Sequence, residues 1–219
     1  MSRSLPPWLV DSLRGALALV SPCDCAGCGR ADVELCTRCR ATLASPPPAH
    51  VTRLPDGTPL RTVLTYEGMV RDVVLAFKQQ GRLRLARPLG PAMARALEPW
   101  PDAEVLPVPG SARGRRVRGY EPVELLLKAA GRVPFRPGLR ILRATGSQKH
   151  RSRAERADAR RGSMRASPRL AGRRVVVVDD VTTTGASLAE AVRAARSAGA
   201  DVVGAASVAA TPLMSEKGV

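Results

Sequence analysis

The 219-residue sequence predicts an α/β fold, a parallel sheet flanked by helices on both faces, with a small cysteine module ahead of it. Three observations carry this. Val175–Val178 is a run of four β-branched residues, the pattern of a strand buried on both faces. It runs through Asp179-Asp180 into a loop of small and hydroxylated residues, and then into Leu188, Ala189, Ala191, Val192, Ala195 and Ala198 at helical spacing, stopped by Gly199. At least five strand candidates alternate with helical stretches, which requires crossover connections and hence parallel pairing.

In chain order, residues 1–22 hold a short helix, Trp8 to Val20, with Leu9, Leu13, Leu17 and Val20 on one face. Residues 23–44 form the cysteine module. Residues 45–59 read as a linker, marked by Ser45-Pro46-Pro47-Pro48 and the turn Asp56-Gly57. The main domain spans 60–212, followed by a tail, 213–219. Within the domain, Arg61–Tyr66 alternates as a strand, and Val70, Val73, Val74 and Phe77 recur helically. Leu83 to Leu97 forms a helix bent at Pro88, and Val105-Leu106 is a buried strand that exits into the rigid turn Pro107–Arg113. The runs 139–142 and 202–208 complete the strand set.

The loop after Val175–Val178 carries the chemistry. Thr183, Thr184, Gly185, Ala186 and Ser187 are small enough for the backbone to wrap a phosphate, with N–H groups, hydroxyls and the positive end of a helix dipole as donors. Asp179 and Asp180 repel that phosphate and therefore face another part of the ligand. Adjacent carboxylates suit vicinal hydroxyls or a magnesium ion that keeps its waters. Together these residues describe a sugar phosphate. The turn after Val105-Leu106 supplies Pro109, Gly110, Ser111 and Arg113, with Arg116 nearby, either as a pyrophosphate cradle or as a proline-rich strand exit with solvated arginines.

Cys25-x-x-Cys28 and Cys36-x-x-Cys39 are separated by seven residues, with Gly27 and Gly29 permitting a tight turn. This spacing suits a tetrahedral thiolate cage for structural zinc; disulfides or an iron–sulfur cluster are the other uses of the same four residues. Four thiolates leave no open coordination position, so the metal would hold the fold and not the substrate. Cys23 is left over.

Hydrophobic residues make up 44% of the chain and aromatics 3%, which implies a core of valine, leucine and alanine. Asp11 and Arg14 interrupt the N-terminal apolar run, and no stretch reaches membrane-spanning length, so the expected location is the cytoplasm. Thirty-five Lys and Arg against nineteen Asp and Glu give a net charge of +16. Four arginines fall within Arg113–Arg118, and eleven basic residues against two acids within Arg143–Arg174. Such clusters bind a polyanion such as single-stranded DNA, neutralise a pyrophosphate, or are solvated loops. Aromatics for base stacking are not interleaved with them.

Val175–Ser187 resembles the phosphoribosyl pyrophosphate signature of type I phosphoribosyltransferases, with Thr182 in place of the usual aliphatic residue. The wider chain is similar to the ComF family (competence protein F, or GntX-like proteins). The similarity runs through the four cysteines, Tyr66-Glu67-Gly68, Phe77-Lys78, Pro107-Val108-Pro109, Arg118-Gly119-Tyr120, Gln148, Glu155-Arg156 and Gly162. Glu121-Pro122 stands where that family has Asn-Gln, and Ala159 where it has Asn. The resemblance implies that Asp179 and Asp180 contact the ribose hydroxyls, that Thr183–Ser187 hold the 5-phosphate, and that magnesium accompanies the diphosphate. It implies three classes of activity: transfer of ribose 5-phosphate to an acceptor covered by segment 143–165, DNA handling with competence-machinery partners, and non-catalytic sensing of phosphoribosyl pyrophosphate.

Overall fold

The computed structural model describes residues 23–142 and 162–212, with the backbone alone at 112–113. The helix expected within residues 1–22, all but the last few residues of segment 143–165, the tail 213–219 and the side chain of Arg113 lie outside the described residues.

In chain order the strands are β1 (His50–Arg53), β2 (Pro59–Thr65), β3 (Glu104–Pro107), β4 (Leu139–Ile141), β5 (Met164–Ala166), β6 (Arg174–Thr182) and β7 (Asp201–Ala210). The helices are α1 (Thr37–Ala44), α2 (Gly68–Gln79), α3 (Ala86–Leu97), α4 (Ala112–Arg118), α5 (Pro122–Ala129) and α6 (Ala186–Ser197). The main sheet has the order β1-β2-β7-β6-β3. Only the edge strand β1 is antiparallel; β2, β7, β6 and β3 are mutually parallel. β1 lies inside the proline-rich stretch 45–59, and its inward residue Thr52 is buried.

β6 shows why the fold forms. Val175 to Val178 are each fully buried, and their side chains alternate between two cores. Val176 and Val178 join the cluster built by α2, α3 and α5, whereas Val175 and Val177 join the one built by α6. Burying each valine contributes roughly 1.5–3 kcal/mol relative to exposure, so the strand is fixed from both sides. Among the described residues no helix is long and apolar enough to cross a membrane.

Three elements differ from the expectations. Residues 139–141 do not join the parallel sheet; they pair with Met164–Ala166 in a separate antiparallel ladder. The reason lies at β3, whose outer edge is already met by Phe135, whose N–H donates to the Val105 carbonyl, and by the adjacent Pro134, which has no N–H to offer. The stretch 83–97 breaks before Pro88: a 3-10 turn, Leu83–Leu85, precedes α3, and Pro88 sits in the first turn, where helix N–H groups have no partners anyway. The turn after β3 winds into α4 and α5 instead of remaining irregular.

Candidate ligand site and metal cluster

The loops that follow β3 and β6 lie side by side at the carboxyl edge of the sheet, since these strands are parallel neighbours and the Val108 N–H donates to the Val178 carbonyl at 2.8 Å. In open α/β sheets ligands bind at this edge.

Strand alternation separates the two acids. Asp180 turns to the face of Val176 and Val178, where it is 6% exposed and accepts from Lys78 Nζ at 2.9 Å and from its neighbour Val181 N–H at 2.7 Å. Asp179 turns the other way and accepts from the Asp180 N–H at 2.8 Å. It lines a depression of about 210 Å³ together with Val181 to Leu188. Only Asp179 therefore shares a surface with the loop. Burial, and then the Asp180 carboxylate beside it, push the Asp179 carboxyl up to about 8. Burial works against the Lys78 ammonium, but the Asp180 charge outweighs it and holds the pKa above the usual lysine range.

Gly185 starts α6 with φ of 73° and ψ of −3°, a left-handed conformation that side chains resist. The N–H groups of Thr183, Thr184 and Gly185 have no acceptor among the described residues. Ala186 N–H has one long contact, 3.4 Å, to Thr184 Oγ1. The twelve-residue α6 directs its positive end at this loop. Thr182, the unusual residue of the signature, is buried with its hydroxyl 2.8 Å from that of Ser207, which donates to the Ala209 carbonyl at 3.1 Å. A polar pair inside β6 and β7 accommodates the replacement.

The loop after β3 is arranged differently. Ser111 Oγ accepts from the Gly114 N–H at 3.1 Å and caps α4. The Gly110 N–H donates to Glu121 Oε2 at 3.3 Å, and Glu121 Oε1 lies 3.4 Å from Arg115 Nε. Pro109 and Glu121 line a second cleft of about 700 Å³, together with Arg115, Phe135, Arg136 and others.

The four cysteines converge. Their sulfurs all lie within 4.8 Å of one another, and Cys28 and Cys36 are 3.7 Å apart. A tetrahedron with metal–sulfur bonds of ~2.3 Å has edges of ~3.8 Å, so this donor set fits a tetrahedral thiophilic ion. Cys23 is not part of the cluster. Burial opposes ionisation of Cys25, yet the N–H groups of Cys36, Gly27 and Cys28 outweigh it and bring the thiol down to about 6. Cys39 is pushed up to about 12 by burial and by the other three cysteines. Four thiolates this close need a cation.

The cluster is not a detached knob. Cys25, Cys36, Cys39 and Leu43 share one core with Val73 and Phe77 of α2 and Leu89 and Met93 of α3. A Cβ at Gly27 would lie 2.6 Å from Met69 of α2, so only glycine admits that approach. Arg82 Nη1, just past α2, donates to the Asp24 carbonyl at 2.6 Å. The Tyr120 hydroxyl donates to the Phe77 carbonyl, so α2 touches the cluster, the turn between α4 and α5 and, through Lys78, the acid pair.

Lys78 and Glu121 are the site residues that sequence reasoning missed. Lys78 stood out only as part of the Phe77-Lys78 match to the ComF pattern, and nothing local indicates a partner 102 residues away. Glu121 stood out only as a departure from the Asn of the ComF pattern.

Comparison with known families matches residues 136–216 to one described as a phosphoribosyl transferase domain. No curated protein matches the chain. Among solved structures, an allosteric regulatory enzyme of purine biosynthesis is similar over 56% of this chain at 29% identity and a TM-score of 0.35, and this chain spans 25% of that protein's length. A phosphoribosyltransferase from Corynebacterium diphtheriae has 20% identity over 84% of this chain and 92% of its own, with a TM-score of 0.39. The orotate phosphoribosyltransferase of Mycobacterium tuberculosis H37Rv has 22% identity over 78% and 84%, with a TM-score of 0.38. The match over 136–216 takes in β6, the acid pair, the Thr183–Ser187 loop and α6, and the chain carries a phosphoribosyltransferase-type domain.

Proposed function

We propose that this protein binds phosphoribosyl pyrophosphate with magnesium and transfers ribose 5-phosphate to a nitrogen nucleophile, as a ComF-type member of the phosphoribosyltransferases with structural zinc on Cys25, Cys28, Cys36 and Cys39. The observation that carries this reading is the trio of N–H groups at Thr183, Thr184 and Gly185 that have no acceptor among the described residues, at the head of α6 and beside Asp179. A phosphomonoester satisfies those donors, with Ala186 and Ser187 completing the cradle.

The chain's own residues then act as follows. The loop fixes the 5-phosphate, which places the ribose against Asp179, whose ionised carboxylate accepts from the ring hydroxyls. Lys78 holds Asp180 in place behind it. The C1–oxygen bond breaks, its electron pair leaves with pyrophosphate, and the nucleophile's lone pair forms the new bond to C1 and then loses its proton. The positive charge that develops at C1 faces the anionic side of the site. Magnesium, when bound, neutralises the leaving oxygens.

Pyrophosphate release from phosphoribosyl pyrophosphate and magnesium, measured against a panel of nitrogen acceptors, tests the reading. Release by the wild type and its loss in Asp179→Asn is the expected result. Binding without release for every acceptor would contradict the transfer step and favour a sensor.

A further inference from the structure

We propose that Glu121 is a built-in anion which occupies the diphosphate position on the loop after β3, so that this side chain sets how strongly the protein takes a diphosphate. The inference deepens the reading above, from which it takes the pyrophosphate role of residues 109–113.

Three donors converge on that loop. The Gly110 N–H and the Arg115 guanidinium both engage the Glu121 carboxylate, one on each oxygen. Arg118 is the third: a Cβ at Gly110 would lie 2.7 Å from Glu121 Oε2 and 3.1 Å from Arg118 Nη2. Arg118 has a buried Nε with no hydrogen-bond partner, an uncommon state for a guanidinium. One guanidinium therefore pairs with the carboxylate, a second lies beside the same loop, and one buried donor has no partner among the described residues.

The alternative for Glu121 is helix capping, and the geometry argues against it. Glu121 is the N-cap residue of α5, yet its side chain makes no cap hydrogen bond. It reaches back across the loop to Gly110 instead. Its carboxylate is planar, carries one charge and accepts on two oxygens, which makes it a stand-in for one end of a diphosphate. An incoming diphosphate must displace it, and then gains Gly110, Arg115 and Arg118 as donors together. With Glu121 seated, the β3 loop disfavours a second phosphate group, while the Thr183–Gly185 loop remains available to a monoester.

Titration of the full-length protein with inorganic pyrophosphate and magnesium, in parallel with ribose 5-phosphate, tests this by calorimetry. Glu121→Gln keeps the side-chain shape and removes the charge. Pyrophosphate affinity is expected to rise at least about tenfold, since removing a like charge at contact distance leaves an effect of that order after screening. Ribose 5-phosphate affinity should change less than about twofold. Adding Arg118→Gln to Glu121→Gln should abolish the gain. Should Glu121→Gln fold poorly, Glu121→Asp decides the point, because its shorter side chain withdraws from the Gly110 N–H and should also raise pyrophosphate affinity. Unchanged or weaker pyrophosphate binding in these variants, or none in any form of the protein, overturns the proposal. A gain in pyrophosphate affinity without any ribose 5-phosphate binding would instead sink the sugar phosphate reading and leave Glu121's role standing.

Discussion

The loops after β6 and β3 sit at the same edge of the same sheet, yet one leaves its donors open and the other fills them from within. After β6, Thr183, Thr184 and Gly185 present N–H groups that nothing described accepts from. After β3, Gly110 and Arg115 are engaged by Glu121, and Ser111 is committed to capping α4. A stretch rich in glycine, hydroxyls and arginine is therefore not by itself an open anion site. What distinguishes the two is whether a neighbouring carboxylate reaches the donors.

α2 holds Tyr120, the neighbour of Glu121, and Asp180, which precedes the open loop, so removing an ion held by the cysteine cluster should disturb both neighbourhoods together. The cluster shares its core with α2, whose Phe77 carbonyl holds Tyr120 and whose Lys78 holds Asp180. A strong thiophilic chelator should lower the melting temperature by more than about 10 °C, because a structural zinc contributes on the order of 10 kcal/mol to a small site. Hydrogen exchange should rise in 68–79 as well as in 23–44. Faster exchange confined to 23–44 would show that the two loops stand independently of the cluster.

Gly185→Val strikes only the open loop. A β-branched residue resists a φ of 73°, and its side chain crowds the donors. Affinity for ribose 5-phosphate should fall by about a hundredfold in a titration, with inorganic pyrophosphate binding little affected. Equal loss of both ligands would erase the contrast between the loops.

Lys78→Met leaves the buried Asp180 without its cation. Since Lys78 is partly exposed, the loss of stability should be about 2 kcal/mol, below the range for a fully buried pair. Denaturant unfolding measures it, and combining Lys78→Met with Asp180→Asn should recover part of the loss. Additive losses would show that the ion pair does not hold the acid strand.

The dependence on pH is a separate effect. Asp179 is raised to about 8 in the fold, above its unfolded value near 4, so between those limits the native state binds more protons than the unfolded state. Stability of the free protein should therefore fall as pH rises from about 4 to 8, and then level off on Asp179's account. Affinity for magnesium-bound phosphoribosyl pyrophosphate should move the opposite way, rising towards pH 8 as the carboxylate becomes available. Asp179→Asn should flatten both trends.

What the sequence disclosed follows from which interactions are local. The β6 strand, its acids, the phosphate-sized loop and α6 are contiguous, so their periods and residue types could be read directly. The same is true of the two Cys-x-x-Cys pairs. β1 was hidden because His50–Arg53 is an edge strand with a single buried residue, Thr52, and almost no apolar signal. α4 lacks an apolar face, since Ala112–Arg118 is mostly arginine, and the Ser111 cap that starts it resembles an ordinary turn. Residues 139–142 read as part of the parallel sheet because apolar content does not show that the free edge of β3 is already covered by Pro134 and Phe135. The opposed directions of Asp179 and Asp180 follow from strand alternation, which the acid pair obscures when β6 is taken to end at Val178.

Crystallography of the protein with ribose 5-phosphate tests the central claim most directly. The phosphate should rest on the N–H groups of Thr183, Thr184 and Gly185, with the ribose against Asp179. A phosphate bound anywhere else on the chain, with those three donors untouched, would contradict it.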